Sequence, residues 1–246
     1  MDFICNRRSI RQYADRDVDD ALLNRLLEEA ERTQTMGNMQ LYSVVVTRSA
    51  EMKQQLAPAH FNQPMVTAAP VVLTFCADFN RASEWCRQRA AEPGYDNFLS
   101  FLNAATDALL YCQTFCVLAE AEGLGLCFLG TTLYQPSAII RLLRLPRLVM
   151  PVATITLGWP AEHPAQSDRL PLTAIRHDET YAPVTPAAID RDYAAREALP
   201  ENREFVRINA KQTLAQVFTD IRYTRADNEA MSAGLLAALK QQGFLD

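Results

Sequence analysis

FLSFLNAATDALLYCQTFCVLAEAE, residues 98–122, is the stretch that decides how this chain folds. Ala104, Ala105, Ala108, Leu109, Cys112, Phe115, Cys116 and Ala119 recur at three- and four-residue steps, the spacing of one helix face. Tyr111 and Leu118 widen that stripe, and charges are few. So broad an apolar surface predicts burial on two sides. Either this is the central helix of the domain, or it also meets a second subunit. The following GLG (123–125) ends it, with glycine supplying a left-handed cap.

Strands flank it. YSVVVTR (42–48) and PVVLTFCA (70–77) are β-branched or apolar runs, LCFLG (126–130) is a short buried strand, and VMPVATITLGW (149–159) is a longer one. A helix capped by Asp17 or Asp19 runs to about Arg32, with Leu22, Leu23, Leu26, Leu27 and Ala30 on one face. TQTMGNMQ (33–40) reads as a loop, 49–57 as a short helix, and HFNQPM (60–65) as a second loop. Pro136 opens a helix through Leu143. Beyond Trp159 the chain is proline-rich with little periodicity, followed by helix candidates at 187–199, 210–219 and 228–242. Alternating strands and helices over the first 160 residues predict α/β or α+β around one sheet, with an extended tail.

The 246 residues are 49% hydrophobic, enough for a full core, and carry a net charge of −5. A sequence pI of about 5.3 argues against a nucleic-acid partner, which calls for a dominant basic face. Six cysteines without a CxxC, and three histidines far from them in sequence, argue against a zinc site or a disulfide framework. Cys76, Cys112 and Cys116 read as small buried hydrophobes. With no signal peptide and no uninterrupted apolar segment near the ~20 residues that span a bilayer, a reduced, cytoplasmic protein without a membrane partner is expected.

Four polar constellations stand out. RRSIR (7–11) gathers Arg7, Arg8 and Arg11 around Ser9 in an acidic chain. Guanidinium forks match phosphate oxygens, although an exposed basic turn has the same composition. Thr35, Asn38 and Gln40 share a glycine-containing loop. Their side chains suit the edge of a heterocycle, and ordinary turn chemistry explains Asn38 equally. Gln63 offers another amide, and Arg169 stands alone in the proline-rich segment. No Ser/His/Asp or Cys/His arrangement for nucleophilic catalysis is evident.

In order along residues 3–182, the chain resembles the FMN-dependent nitroreductase/flavin reductase family, in particular its NADPH-dependent, oxygen-insensitive branch. The matching segments are RRSIRQY, TMGNMQ, NQPMV, AAPVVLTFCADFNR (68–81), EGLGLCFLGT (122–131), LRLPRLVMPVATITLGWPAEHP (143–164) and DRLP (168–171).

That resemblance implies an α+β, three-layer α/β/α fold with a mostly antiparallel central sheet. It implies one FMN-binding domain over 1–246, with a core over 1–160 and a wrapping segment and C-terminal helices over 161–246. It further implies a homodimer with active sites at the interface. Arg7 and Ser9 would face the FMN phosphate, Arg8 would belong to the same cofactor-binding cluster, and Arg11 would stand nearer the pyrimidine end, where it would support the flavin N1/O2 edge. Gln63 would bond the pyrimidine edge, Gly130 and Thr131 would approach the ring, and Arg169 would complete the phosphate clamp. Thr35, Asn38 and Gln40 would reach the flavin of the other subunit. Arg203 and Arg207, in the polar stretch PENREFVRIN (200–209), would hold the 2′-phosphate of NADPH.

The implied activity is ping-pong hydride transfer from NADPH or NADH to FMN and on to nitroaromatic, quinone or flavin acceptors, with no catalytic side chain beyond those supporting the flavin. Specialised flavin chemistry, such as dehalogenation or flavin breakdown, is an alternative on the same fold. So is a non-catalytic flavin-binding role. Two departures from the branch stand out: Ser167 where a lysine is usual, and Thr131 and Thr132 where Gly or another small apolar residue is usual.

Overall fold

The structure, a computed structural model, describes residues 2–245. In chain order the helices are α1 (Asp2–Cys5), α2 (Asp20–Ala30), α3 (Ala50–Leu56), α4 (Pro64–Ala68), α5 (Asn80–Gln88), α6 (Phe98–Ala121), α7 (Pro136–Leu142), α8 (Pro186–Glu197), α9 (Pro200–Ile208), α10 (Leu214–Val217) and α11 (Arg225–Gln242). The strands are β1 (Tyr42–Thr47), β2 (Val71–Asp78), β3 (Gly125–Leu129) and β4 (Val149–Gly158). They form one sheet in the order β1-β2-β4-β3, antiparallel at every pairing. β1 and β3 are therefore opposite edges, and both central strands are buried along their whole length.

Helices cover both faces. On one, α2 and α6 pack against Leu73, Phe75, Leu126, Ile155 and Leu157. On the other, Leu56 of α3, Met65 and Val66 of α4 and Ile139 of α7 pack against Cys127 and Leu129. This is the three-layer α+β arrangement. Fully buried side chains such as Phe75 and Phe115 each contribute roughly 1.5–3 kcal/mol by leaving water.

Local chemistry sets the helix ends. The Asp19 carboxylate accepts from the Leu22 amide at 2.8 Å and starts α2. Gly123, at φ +82°, stops α6 while the Leu124 amide reaches back to the Ala119 carbonyl at 3.0 Å. By length and composition α6 alone among the described helices is apolar enough to cross a membrane, yet its face from Phe101 to Ala119 is packed in the core. Its other face is bare: Leu99 is 66% exposed, and Leu102, Leu109 and Leu110 are exposed with it. Leu109 thus leaves the core stripe to which its spacing assigned it.

The chain forms two compact units, residues 1–165 with 231–246, and residues 166–230. In the first, the end of α11 is pinned by Gln242, whose amide nitrogen donates to the Pro146 and Val149 carbonyls while its own carbonyl accepts from Leu148. In the second, the Arg196–Asp168 pair and the Thr173–Asp192 hydrogen bond tie α8 to the proline-rich segment.

Two local expectations are refined, and one helix lies where none was expected. HFNQPM keeps a turn at 61–63, where Phe61 and Asn62 are left-handed, but its ends are helical: His60 closes a 3-10 turn and Pro64 opens α4. PENREFVRIN, the polar stretch between two helix candidates, is itself almost wholly the helix α9, again with proline at its first position. α5 follows β2 directly and buries only Ser83, so it carries no apolar stripe to announce it.

Candidate functional site

The basic segment lies along the β3 edge. The Ile10 amide donates to the Leu126 carbonyl at 3.0 Å, and Tyr13 donates to the Ile10 carbonyl while bonding the Thr156 hydroxyl at 2.6 Å. Close approach is possible because Gly125 has no side chain: a Cβ there would sit 2.7–2.8 Å from three side-chain carbons of Ile10. Glu162 fixes the next turn, one carboxylate oxygen accepting from the Arg11 amide at 2.6 Å and the Gln12 amide at 3.0 Å.

Arg7, Arg8 and Ile10 line a cleft of about 260 Å³ together with Glu120, Gly125 and Glu162. The Arg7 guanidinium is shared between the Ser9 hydroxyl and the Glu120 carboxylate, both at 3.4 Å. Contacts of that length are loose enough to exchange for a better-placed anion. Arg8 donates to the Asn6 carbonyl at 2.7 Å, while its buried Nε has no acceptor among the described residues. Burial pushes the Glu120 carboxyl above its usual range, and Arg7 pulls it back. Burial likewise raises the Cys127 thiol against the charges of Arg11 and Arg7 and a hydrogen bond from Arg11. Cys127 therefore marks where the basic segment meets β3.

Two residues beyond Cys127, β3 ends, and a second polar group stands there. The Thr131 hydroxyl lies 2.9 Å from Nδ1 of His60 and 3.4 Å from Nε2 of Gln63, whose amide nitrogen also donates to the His60 carbonyl at 3.1 Å. Gly130 has open space where a Cβ would stand, so its backbone is accessible. Thr132 turns inward and donates to the Leu129 carbonyl at 2.9 Å. Cys127 and Leu129 share one buried cluster with Ala57 and Ala59, so both polar groups border the same wall.

His60 is fully buried, and burial alone pushes its imidazole down to about 4. The unfolded chain therefore takes up this proton first as pH falls below the ordinary histidine value near 6.5. Stability contributed by neutral His60 is complete above that value and is lost between about 6.5 and 4. Chemical denaturation across that range should show a slope approaching ~1.4 kcal/mol per pH unit from this group. His60→Leu should flatten it.

The loop Thr35–Gln40 stands elsewhere. It leads into β1, at the sheet end where Tyr42 pairs with Ala77, whereas the basic segment meets the sheet where Gly125 pairs with Gly158. Within one chain the two groups occupy opposite edges and opposite ends. The loop is held by Asp107 of α6, which is 1% exposed and accepts from the Thr35 hydroxyl at 2.6 Å, the Met36 amide at 2.8 Å and the Leu41 amide at 3.2 Å. Thr35 in turn accepts from the Gln40 amide at 2.9 Å. Gly37, Asn38 and Gln40 all adopt positive φ, and the Gln40 side chain donates to the Asn38 side-chain oxygen at 2.7 Å. Two non-glycine residues in left-handed backbone mark a conformation imposed by its surroundings.

The remaining candidates belong to the second unit. Arg169 donates to the carbonyls of Ser167 and Asp168. Arg207 is paired through two nitrogens with Glu204, while Arg203 borders a small cleft with Glu197, Gln212 and Thr213. Sequence reasoning missed Asp107, His60 and Glu162. Asp107 alone left a trace, as a carboxylate on the apolar stripe of α6.

With these elements in place, the chain belongs to the nitroreductase family, whose profile matches residues 4–159. It is 34% identical over 185 residues to the FMN reductase [NAD(P)H] of Bacillus subtilis, covering 72% of each chain. It is 30% identical over 184 residues to the oxygen-insensitive NADPH nitroreductase of Salmonella typhimurium, covering 75% of each. A crystal structure of a proposed oxidoreductase from Bacteroides fragilis superposes with a TM-score of 0.99 at 59% identity, over the full length of both chains.

Proposed function

We propose that this protein is an FMN-dependent NAD(P)H oxidoreductase acting on small-molecule acceptors such as nitroaromatics, quinones or free flavins. The observation that carries the reading is the convergence of Arg7, Ser9 and Arg11 with Gln63, Gly130 and Thr131 around β3. The donor set fits FMN: a buried guanidinium nitrogen without an acceptor lies beside the anion end, and an open backbone at Gly130 marks the ring end. When bound, FMN supplies the redox chemistry, taking a hydride from the nicotinamide and returning the electrons to an acceptor.

The protein's part is binding and electrostatics. Arg7, Arg8 and Ser9 would hold the phosphate. Arg11 presents a fixed positive charge where negative charge develops on the ring. Gln63 orients the pyrimidine edge, and the apolar wall of Cys127 and Leu129 keeps water from that side. Because Thr35, Asn38 and Gln40 stand at the opposite edge of the sheet, they serve a site only in a second copy. The bare leucine face of α6 supplies a surface for such a homodimer. The thiols of Cys76, Cys86, Cys112, Cys116 and Cys127 suit a reducing, cytoplasmic setting.

The purified protein should be yellow, retain FMN, and bleach with NADPH in the absence of any acceptor. Arg7→Ala should weaken FMN binding about tenfold to a hundredfold, the ~1.5–3 kcal/mol of a charge-assisted hydrogen bond. A colourless protein that takes up no FMN would falsify the reading. For the nicotinamide, Arg203 is the better 2′-phosphate ligand, because Glu204 already neutralises Arg207. Arg203→Ala should therefore raise KM for NADPH about tenfold and leave NADH kinetics unchanged, with Arg207→Ala the milder variant.

A further inference from the structure

The hydroxyl of Thr131 has its direction written into the residues beneath it. His60 is sealed from solvent, its Nδ1 lies 2.9 Å from Thr131 Oγ1, and its Nε2 meets no partner among the described residues. The neutral ring has two tautomers. With the proton on Nε2, a buried N–H would go unsatisfied and Nδ1 would draw the Thr131 proton inward. With the proton on Nδ1, the ring donates to Oγ1 and leaves only a lone pair unmatched. Buried orphan N–H groups are rarer than under-satisfied acceptors, which selects the second arrangement.

Gln63 points the same way. Its amide is fixed because Nε2 donates to the His60 carbonyl, and the second N–H of that nitrogen reaches Thr131 Oγ1 at 3.4 Å. Two donors then occupy the two lone pairs of a single hydroxyl oxygen, so its own proton must leave the network. Next to Thr131 in the chain, the Cβ position of Gly130 is clear to 4 Å of everything but its own chain neighbours and turn, so open space adjoins the hydroxyl.

We propose that His60 is a positioning residue that holds Thr131 as an outward hydrogen-bond donor, aimed at a carbonyl oxygen of the flavin ring. The proposal rests on the FMN reading above. A donor on a ring carbonyl stabilises the reduced, more electron-rich flavin, so removing it should lower the flavin's reduction potential.

The first test needs no flavin. Long-range proton–nitrogen NMR of the full-length chain freed of FMN, with the His60 signals identified by their loss in His60→Asn, should show the Nδ1–H tautomer. An Nε2–H tautomer overturns the proposal. The second uses the FMN-loaded protein. Thr131→Val and His60→Leu should shift the flavin absorption maximum and lower its reduction potential alike, and the double variant should go no further than Thr131→Val. His60→Asn, which restores a donor near the Nδ1 position, and Thr131→Ser should return both readouts to wild type. Independent shifts that add in the double variant, or no shift in either, would also overturn it. Failure to load FMN at all strikes the flavin reading and leaves the tautomer result standing.

Discussion

Replacing Asp107 by alanine is expected to cost about 3–5 kcal/mol of stability and to release the Thr35–Gln40 loop. The carboxylate sits inside the central helix and accepts from the Thr35 hydroxyl and the amides of Met36 and Leu41. Alanine strips those donors of their acceptor in a place water cannot easily reach, and the penalty for stranded donors exceeds the net value of the bonds themselves. The left-handed residues Gly37, Asn38 and Gln40 then lose the anchor that imposes their backbone. Asp107→Asn should fall between, because an amide keeps one acceptor oxygen and sets an N–H against a donor. Urea unfolding gives the stability, and protease sensitivity between residues 33 and 41 reports the loop. A variant as stable as wild type, with an intact loop, would remove Asp107 as the anchor.

The other large effect is expected at Gly125. Alanine there places its Cβ 2.7 Å from Cγ1 and 2.8 Å from both Cβ and Cγ2 of Ile10, a β-branched side chain with little freedom to turn. Either strand or segment must give way, costing about 1–3 kcal/mol. The segment is the softer partner, held by the Ile10–Leu126 hydrogen bond and by Glu162. It carries Arg7, Ser9 and Arg11 with it, so FMN affinity should fall at least about tenfold, more steeply than stability. Adding Ile10→Ala removes two of the three offending carbons and should recover part of the affinity. Flavin titration by fluorescence quenching measures both variants. Unchanged affinity in Gly125→Ala would mean that the basic segment is not held by this close approach.

The sheet and the central helix were legible because their side chains alternate or recur on a buried face. β1, β2 and β4 are runs that only a strand explains, and α6 carries the longest apolar ladder in the chain. α5 and α9 escaped because almost nothing on them is buried; Trp85 of α5 is itself exposed. The site divides the same way. Arg7, Ser9, Gln63 and Thr131 entered through local motifs and the resemblance those motifs carry. His60 and Glu162 did not, because their partners lie 71 and 151 residues away and neither sits in a pattern that predicts a contact. Asp107 was visible in principle: it stands three residues after Ala104 and four before Tyr111, on the side of the helix where a carboxylate has no business without a partner.

One rod, α6, carries on one side the carboxylate that grips the Thr35–Gln40 loop and on another the bare leucines offered to a second copy. In the proposed homodimer, self-association and cofactor retention then become linked equilibria that draw on the same helix. Mass action makes each the other's effector: flavin should hold the pair together, and dilution alone should leach colour from the protein.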